Sequence, residues 1–276
     1  MDEKTTATLR MLRKQIAVTG YRGGMAHLAS SYSCLEILYT LYAGGILRLN
    51  RDDPMWADRD RLILSKGHAG LALYAILTHM GFMREDEFSS YLQLKGCIGG
   101  EPCMRDSKWV EATTGSLGHG LSFAAGIAMA LRLNHSLAKV YVVLGDGECE
   151  EGAVWGAAMS AAAHQLDNLV VILDCNEIQK MDRIDRIIGA PRWMEKWTSF
   201  GWSVEEMDGH DITVMRDHFS REGVKGKPRF ILAHTIKGKG VSIMEQNPNW
   251  HFKLPNRKER KVFQEELGIS EAEWEG

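Results

Sequence analysis

Apolar residues near the start of the chain recur at Leu9, Leu12, Ile16 and Ala17, and this i, i+3, i+4 spacing predicts an amphipathic helix over residues 5–19. A second such segment runs from residue 34 to about 47. Beyond it the pattern changes to short, continuously apolar runs that alternate with helical ones. Residues 59–65 enter Lys66-Gly67-His68-Ala69-Gly70 before a helix over 71–80. Residues 114–120 lead into a small-residue helix over 121–133, and Val140-Tyr141-Val142-Val143-Leu144 ends in Gly145-Asp146-Gly147. A helix over 152–166 precedes Leu169-Val170-Val171-Ile172-Leu173, which ends at Asp174-Cys175-Asn176. Asp211 is the expected N-cap of a helix reaching about residue 221, followed by a strand at 230–233. Strands that are apolar on both faces and separated by helices predict an α/β fold, a doubly wound parallel sheet with helices on both faces. The expected division is one domain over residues 1–252 and a charged C-terminal helix or tail over 253–276.

Composition narrows the function classes. The 276 residues are 45% hydrophobic and 25% charged, as in ordinary globular proteins. The net charge of −3 offers no cationic field for a polyanion, so nucleic acid is not an expected partner. The five cysteines are scattered without a C-x-x-C pair, which suggests reduced thiols and a cytoplasmic location, with Cys149 and Cys175 as small buried hydrophobes. A charged N-terminus and the absence of any 18-residue apolar run predict a protein that is neither secreted nor associated with a membrane.

In open parallel sheets ligands bind beyond the carboxyl ends of the strands, so the loops at 65–70, 114–120, 145–152 and 174–178 are expected to converge. No G-x-x-x-x-G-K-[ST] loop is present, and neither Gly118-His119-Gly120 nor Gly145-Asp146-Gly147 completes G-x-G-x-x-G. Asp-Gly is an ordinary turn pair, and taken alone Gly145-Asp146-Gly147 need be nothing more. Its place between a buried strand and a helix, matched by Asn176 at the end of the next strand, suggests more. One carboxylate and one amide oxygen at adjacent strand ends can hold Mg²⁺, or Ca²⁺ or Mn²⁺, together with phosphate oxygens. The glycines let a diphosphate approach the backbone, and a helix N-terminus supplies N–H donors.

Gly145-Asp146-Gly147 with Asn176 resembles the thiamine diphosphate motif of the transketolase family. Ser65-Lys66-Gly67-His68-Ala69, Thr113 through Gly120, Asp146 through Gly152, Lys237-Gly238-Lys239-Gly240 and Trp250-His251 resemble transketolase N-terminal segments in the same order. The resemblance implies that Asp146, Asn176 and the carbonyl of Ile178 hold the metal, and that Gly115, Leu117, Gly147 and Glu148 line the cofactor, with Asn176 beside them. His68 and His251 would face the diphosphate or the reacting centre. His27, in Ala26-His27-Leu28, stands where the family has a Gly-His-Pro-Gly histidine, and Glu151 matches an acid that links paired active sites. Lys237 and Lys239 are either a solvated turn or aids to the phosphate region. His79 and His164 fall within predicted helices and suit structural or surface roles, while His119 and His210 suit capping or loop roles.

A complete chain of this family is about twice as long or more. The family's pyrimidine-binding glutamate lies in the part absent here, so the resemblance implies a separate C-terminal subunit, an α2β2 assembly, and ketol transfer between sugar phosphates or related compounds. The alternatives are another thiamine diphosphate enzyme, of the deoxyxylulose-phosphate-synthase or 2-oxo acid dehydrogenase α type, or a non-catalytic scaffold subunit. Gly100-Glu101-Pro102 stands where many relatives have Gly-His-Pro, which makes Glu101 a candidate for altered substrate specificity. The competing reading is a solvated acid on a shifted loop.

Overall fold

The computed structural model describes residues 2–275. Asp2 caps the first helix, its carboxylate accepting the Thr5 N–H at 2.8 Å, and α1 runs Glu3–Arg22 with Leu9, Leu12, Ile16 and Ala17 buried, the stripe the spacing predicted. The segment expected from residue 34 to about 47 is a shorter helix, α3 (Leu35–Tyr42), and a further short helix that the spacing did not predict, α2 (Leu28–Ser33), precedes it across Cys34. Strand β1 (Arg61–Leu64) follows, then α4 (Gly70–His79), α5 (Glu85–Ser89) and α6 (His119–Leu133). Next come β2 (Val140–Gly145), α7 (Gly152–Ala163), β3 (Leu169–Cys175), α8 (Ile184–Ile187) and α9 (Trp193–Ser199). The remainder is β4 (Ser203–Asp208), α10 (Ile212–Ser220), β5 (Arg229–His234), α11 (Arg260–Leu267) and α12 (Glu271–Glu275).

The five strands form one sheet in the order β1-β2-β3-β5-β4, all parallel. Successive side chains of a strand point to opposite faces. On one face Tyr141, Val143, Val170, Ile172, Ile231 and Ala233 pack with α1, α3, α4 and α10. On the other, Val142, Leu144, Val171, Leu173, Phe230 and Leu232 pack with α6, α7 and α9. The doubly wound reading therefore holds.

Two regions differ from the sequence expectation. Edge strand β4 carries Glu205 and Glu206, so it lacks the apolar run that marked its neighbours, and an ion pair from Arg229 to Glu205 at 2.6 Å ties it to β5. Residues 253–275 are charged but packed, because α11 and α12 bury Phe263, Leu267 and Trp274 in the same core as α1. Among the described residues no helix is long and apolar enough to cross a membrane. All five cysteines are free, with Cys149 and Cys175 buried.

Candidate active site

The carboxyl ends of β1, β2, β3 and β5 open into one cavity of about 280 Å³. It brings together His27, His68, Glu101, Gly115, Leu117, Asp146, Gly147, Glu148, Asn176, Ile178 and His251, and also Lys66, Gln179, Lys180 and Lys237. Of the expected site residues only Glu151 lies elsewhere. It is exposed at the N-cap of α7, its Cβ so close to Gly118 that a side chain at 118 would collide with it.

Asp146 joins the ends of β2 and β3: one carboxylate oxygen accepts the Gly147 N–H at 2.8 Å, the other the Glu177 N–H at 2.5 Å. Burial, and then the nearby charge of Asp174, push its pKa up to about 7. Glu148 clamps three loops, accepting from the Ser65 hydroxyl, from Gly118 N–H at 2.8 Å and from Gly145 N–H at 3.0 Å. Its lining role is thus combined with a structural one. Behind them Asp174 is fully buried and accepts from Lys66 Nζ, Ser33 Oγ and Thr235 Oγ1. Among the described residues no group of three or more His, Cys, Asp or Glu side chains is placed to hold a metal. The expected set needs only one carboxylate, beside an amide and a backbone carbonyl.

His27, His68 and His251 form a triangle with ring centroids 5.2, 5.3 and 5.6 Å apart. Burial, reinforced by the Lys237 charge, lowers His27 to about 4 and His251 to about 3, while burial and Lys66 hold His68 well below its usual range. All three are therefore neutral at pH 7, each able to donate one hydrogen bond and accept another. Lys237 Nζ lies 2.6 Å from the Ile178 carbonyl and 2.9 Å from His251 Nδ1. An ammonium only donates, so Nδ1 accepts and the His251 ring hydrogen sits on Nε2. Lys237 is 2% exposed and is no solvated turn.

Glu101 lies over Gly115, whose φ of +132° suits glycine, and a Cβ there would overlap the Glu101 carboxylate. The Tyr74 hydroxyl, 2.9 Å from Asp106 Oδ2 and 3.1 Å from the Glu101 carbonyl, ties this loop to α4. Sequence reasoning assigned no role to Lys66, Asp174, Gln179 or Lys180. Asp174 carried a signal, being the only charged residue in the apolar run of β3. His210 is a loop residue, in the turn between β4 and α10: its Nε2 accepts the Ile236 N–H at 2.8 Å, and Nδ1 lies 3.3 Å from Glu36, which Arg13 also holds.

Comparison with known proteins identifies the family. A family model described as "Transketolase, thiamine diphosphate binding domain" matches residues 1–274. One of the subunits of the apulose-4-phosphate transketolase of Phocaeicola vulgatus is 36% identical over 244 residues, which are 88% of this chain and 86% of that protein. A 6-deoxy-6-sulfo-D-fructose transketolase subunit of Clostridium sp. is 38% identical over 224 residues, 80% of this chain and 81% of that protein. The solved transketolase of Campylobacter jejuni superposes with a TM-score of 0.89 at 26% identity, covering 98% of this chain but 44% of that one. The chain thus matches most of the length of those subunits and less than half of the solved transketolase.

Proposed function

The chain belongs to the transketolase family, and from that premise we propose that it is the diphosphate-binding half of an enzyme moving a two-carbon ketol unit from a ketose to an aldose. Once bound, thiamine diphosphate supplies the carbanion chemistry. This chain binds, orients and handles protons. The observation that supports the reading most is the meeting of Asp146, Asn176 and the Ile178 carbonyl with three neutral histidines in one cavity at the strand ends.

The residues fit such a group. Asp146, Asn176 and Ile178 offer the oxygen ligands that Mg²⁺, or Mn²⁺ or Ca²⁺, prefers. A buried carboxylate whose charge is disfavoured has most to gain from a cation. Gly115 and Gly147 keep the floor free of side chains, and Lys66 and Lys237 set positive charge beside the place for a diphosphate. His251, held by Lys237, presents Nε2–H to a substrate oxygen, while His27 and His68 hold hydroxyl groups and relay protons. Glu101 contacts the substrate, and Glu151 meets a second copy of the active site.

The pyrimidine-binding glutamate comes from a separate C-terminal chain, giving an α2β2 enzyme. Sugars bearing an anionic group are the favoured class, since the relatives are named for apulose-4-phosphate and 6-deoxy-6-sulfo-D-fructose. Calorimetric titration of thiamine diphosphate with Mg²⁺ into the reconstituted enzyme tests the cofactor site. Asp146→Ala removes the only carboxylate of the ligand set and is expected to abolish binding; unchanged affinity would reject the assignment.

A further inference from the structure

A side-chain amide can ligate a cation through its oxygen and not through its NH₂ group, so the metal site just proposed, on which this inference rests, depends on which end of Asn176 faces the cavity. We propose that Asp174 is the positioning residue that makes this choice: its carboxylate, behind Asn176, takes the NH₂ end of the amide and turns Oδ1 toward the cation site. Asp174 and Asn176 are two residues apart where β3 ends, and residues at that spacing share a face of an extended chain. Asn176 Nδ2 lies 3.3 Å from Asp174 Oδ2 and 3.4 Å from Ser33 Oγ. The Ser33 hydroxyl donates its own hydrogen to Asp174 Oδ2 at 2.6 Å, which leaves its lone pairs to accept. At the other end, Asn176 Oδ1 accepts the Ile178 N–H at 3.2 Å.

An ionised carboxylate only accepts hydrogen bonds. Flipping the amide would set Oδ1 against Asp174, acceptor to acceptor, and Nδ2 against the Ile178 N–H, donor to donor. The carboxylate is itself fixed, with Thr235 donating to Oδ1 and Lys66 to Oδ2. With Ser33 and Lys66 donating to Oδ2 and Thr235 to Oδ1, both carboxylate oxygens act as acceptors. Asp174 does not line the cavity and acts only through Asn176 and Lys66.

The test is electron paramagnetic resonance titration of Mn²⁺, in the presence of thiamine diphosphate, into the full chain reconstituted with its complementing chain. The D174N/K66M variant removes both buried charges together, so neither is left unpaired. Without the carboxylate only the Ile178 N–H and Ser33 Oγ still favour the native end of the amide, and Mn²⁺ is expected to bind about 10–100-fold more weakly, the usual range for losing a group that orients a metal ligand. Adding Asn176→Asp to that background presents an oxygen in either orientation and is expected to recover most of the loss. A merely structural role would give no recovery beyond the gain that Asn176→Asp alone brings to the otherwise wild-type chain, and that result overturns the proposal. Thr235→Val serves as a second variant, because it leaves Oδ2 facing Asn176 and is expected to bind Mn²⁺ as wild type does; a loss on the D174N/K66M scale would overturn the proposal independently. Wild-type binding with equal binding by D174N/K66M rejects this inference alone, whereas no Mn²⁺ binding by the wild-type complex rejects the metal site on which it rests.

Discussion

Asp146→Asn is expected to make the ligand-free chain more stable while destroying its cofactor site. The carboxyl is pushed from 3.8 to about 7, chiefly by burial, so keeping it ionised at pH 8 costs the fold roughly 4 kcal/mol. Asparagine removes that charge. Its NH₂ group must face either the Gly147 or the Glu177 N–H, leaving one buried donor unpaired at roughly 1–3 kcal/mol. The net expectation at pH 8 is a gain of about 1–3 kcal/mol, or roughly 2–4 °C in Tm per kcal/mol for a chain of this size. The sign depends on pH. An acid whose folded pKa is raised contributes stability below its unfolded value and loses it as pH rises through the folded one. Wild type therefore loses this contribution between about pH 4 and 7, and the advantage of the variant is absent at pH 5 and full at pH 8. Differential scanning calorimetry of both ligand-free proteins across that range measures the difference, in which the shared titrations cancel. A variant less stable than wild type at pH 8, or an advantage that does not grow with pH, would refute the reasoning.

Three further outcomes are expected. Glu101→Ala and Glu101→His, measured in the reconstituted enzyme over ketose donors with and without a terminal anion, should lower kcat/KM more than tenfold on the preferred donor, the scale of a lost hydrogen bond to a charged group, with cofactor affinity nearly unchanged; equal values on every donor would remove Glu101 from substrate recognition. Gly115→Ala forces a Cβ onto a backbone at φ +132° and into the Glu101 carboxylate, so urea unfolding should show a loss of about 1–3 kcal/mol, part of it recovered by adding Glu101→Ala. The histidine triangle binds protons in the unfolded chain below about pH 6.5 but in the fold only near 4 for His27 and 3 for His251. Stability should accordingly fall as pH drops through that window, read in the Asp146→Asn background where the opposing titration is absent; Lys237→Met should flatten the slope.

Much of the architecture was legible because its signals are local. The stripe of α1, the buried strands β2, β3 and β5, and the Asp211 cap, which accepts from the Thr213 and Val214 N–H groups, each follow from residues within a few positions. Strand β4 escaped because an edge strand with Glu205 and Glu206 is held by its neighbour and by Arg229, not by an apolar face. A helix or tail was expected after residue 253, but its packing into the core escaped because charged residues outnumber the few large side chains that do the packing. In the site, the loops after β1, β2 and β3 could be placed from motif and topology. The Lys66–Asp174 pair could not, since its members lie 108 positions apart and only the pairing of β1, β2 and β3 brings them together. Lys237 was underrated for the same reason: its partners Ile178 and His251 come from two other loops.

The most direct test of the central claim is a ketol-transfer assay on three samples, each with thiamine diphosphate and Mg²⁺: this chain alone, a C-terminal chain bearing the pyrimidine-binding glutamate alone, and the two mixed. The expected result is turnover of a ketose donor only in the mixture, abolished when this chain carries Asp146→Ala. Turnover by the purified chain alone, or equal turnover by the C-terminal chain without it, would contradict the account.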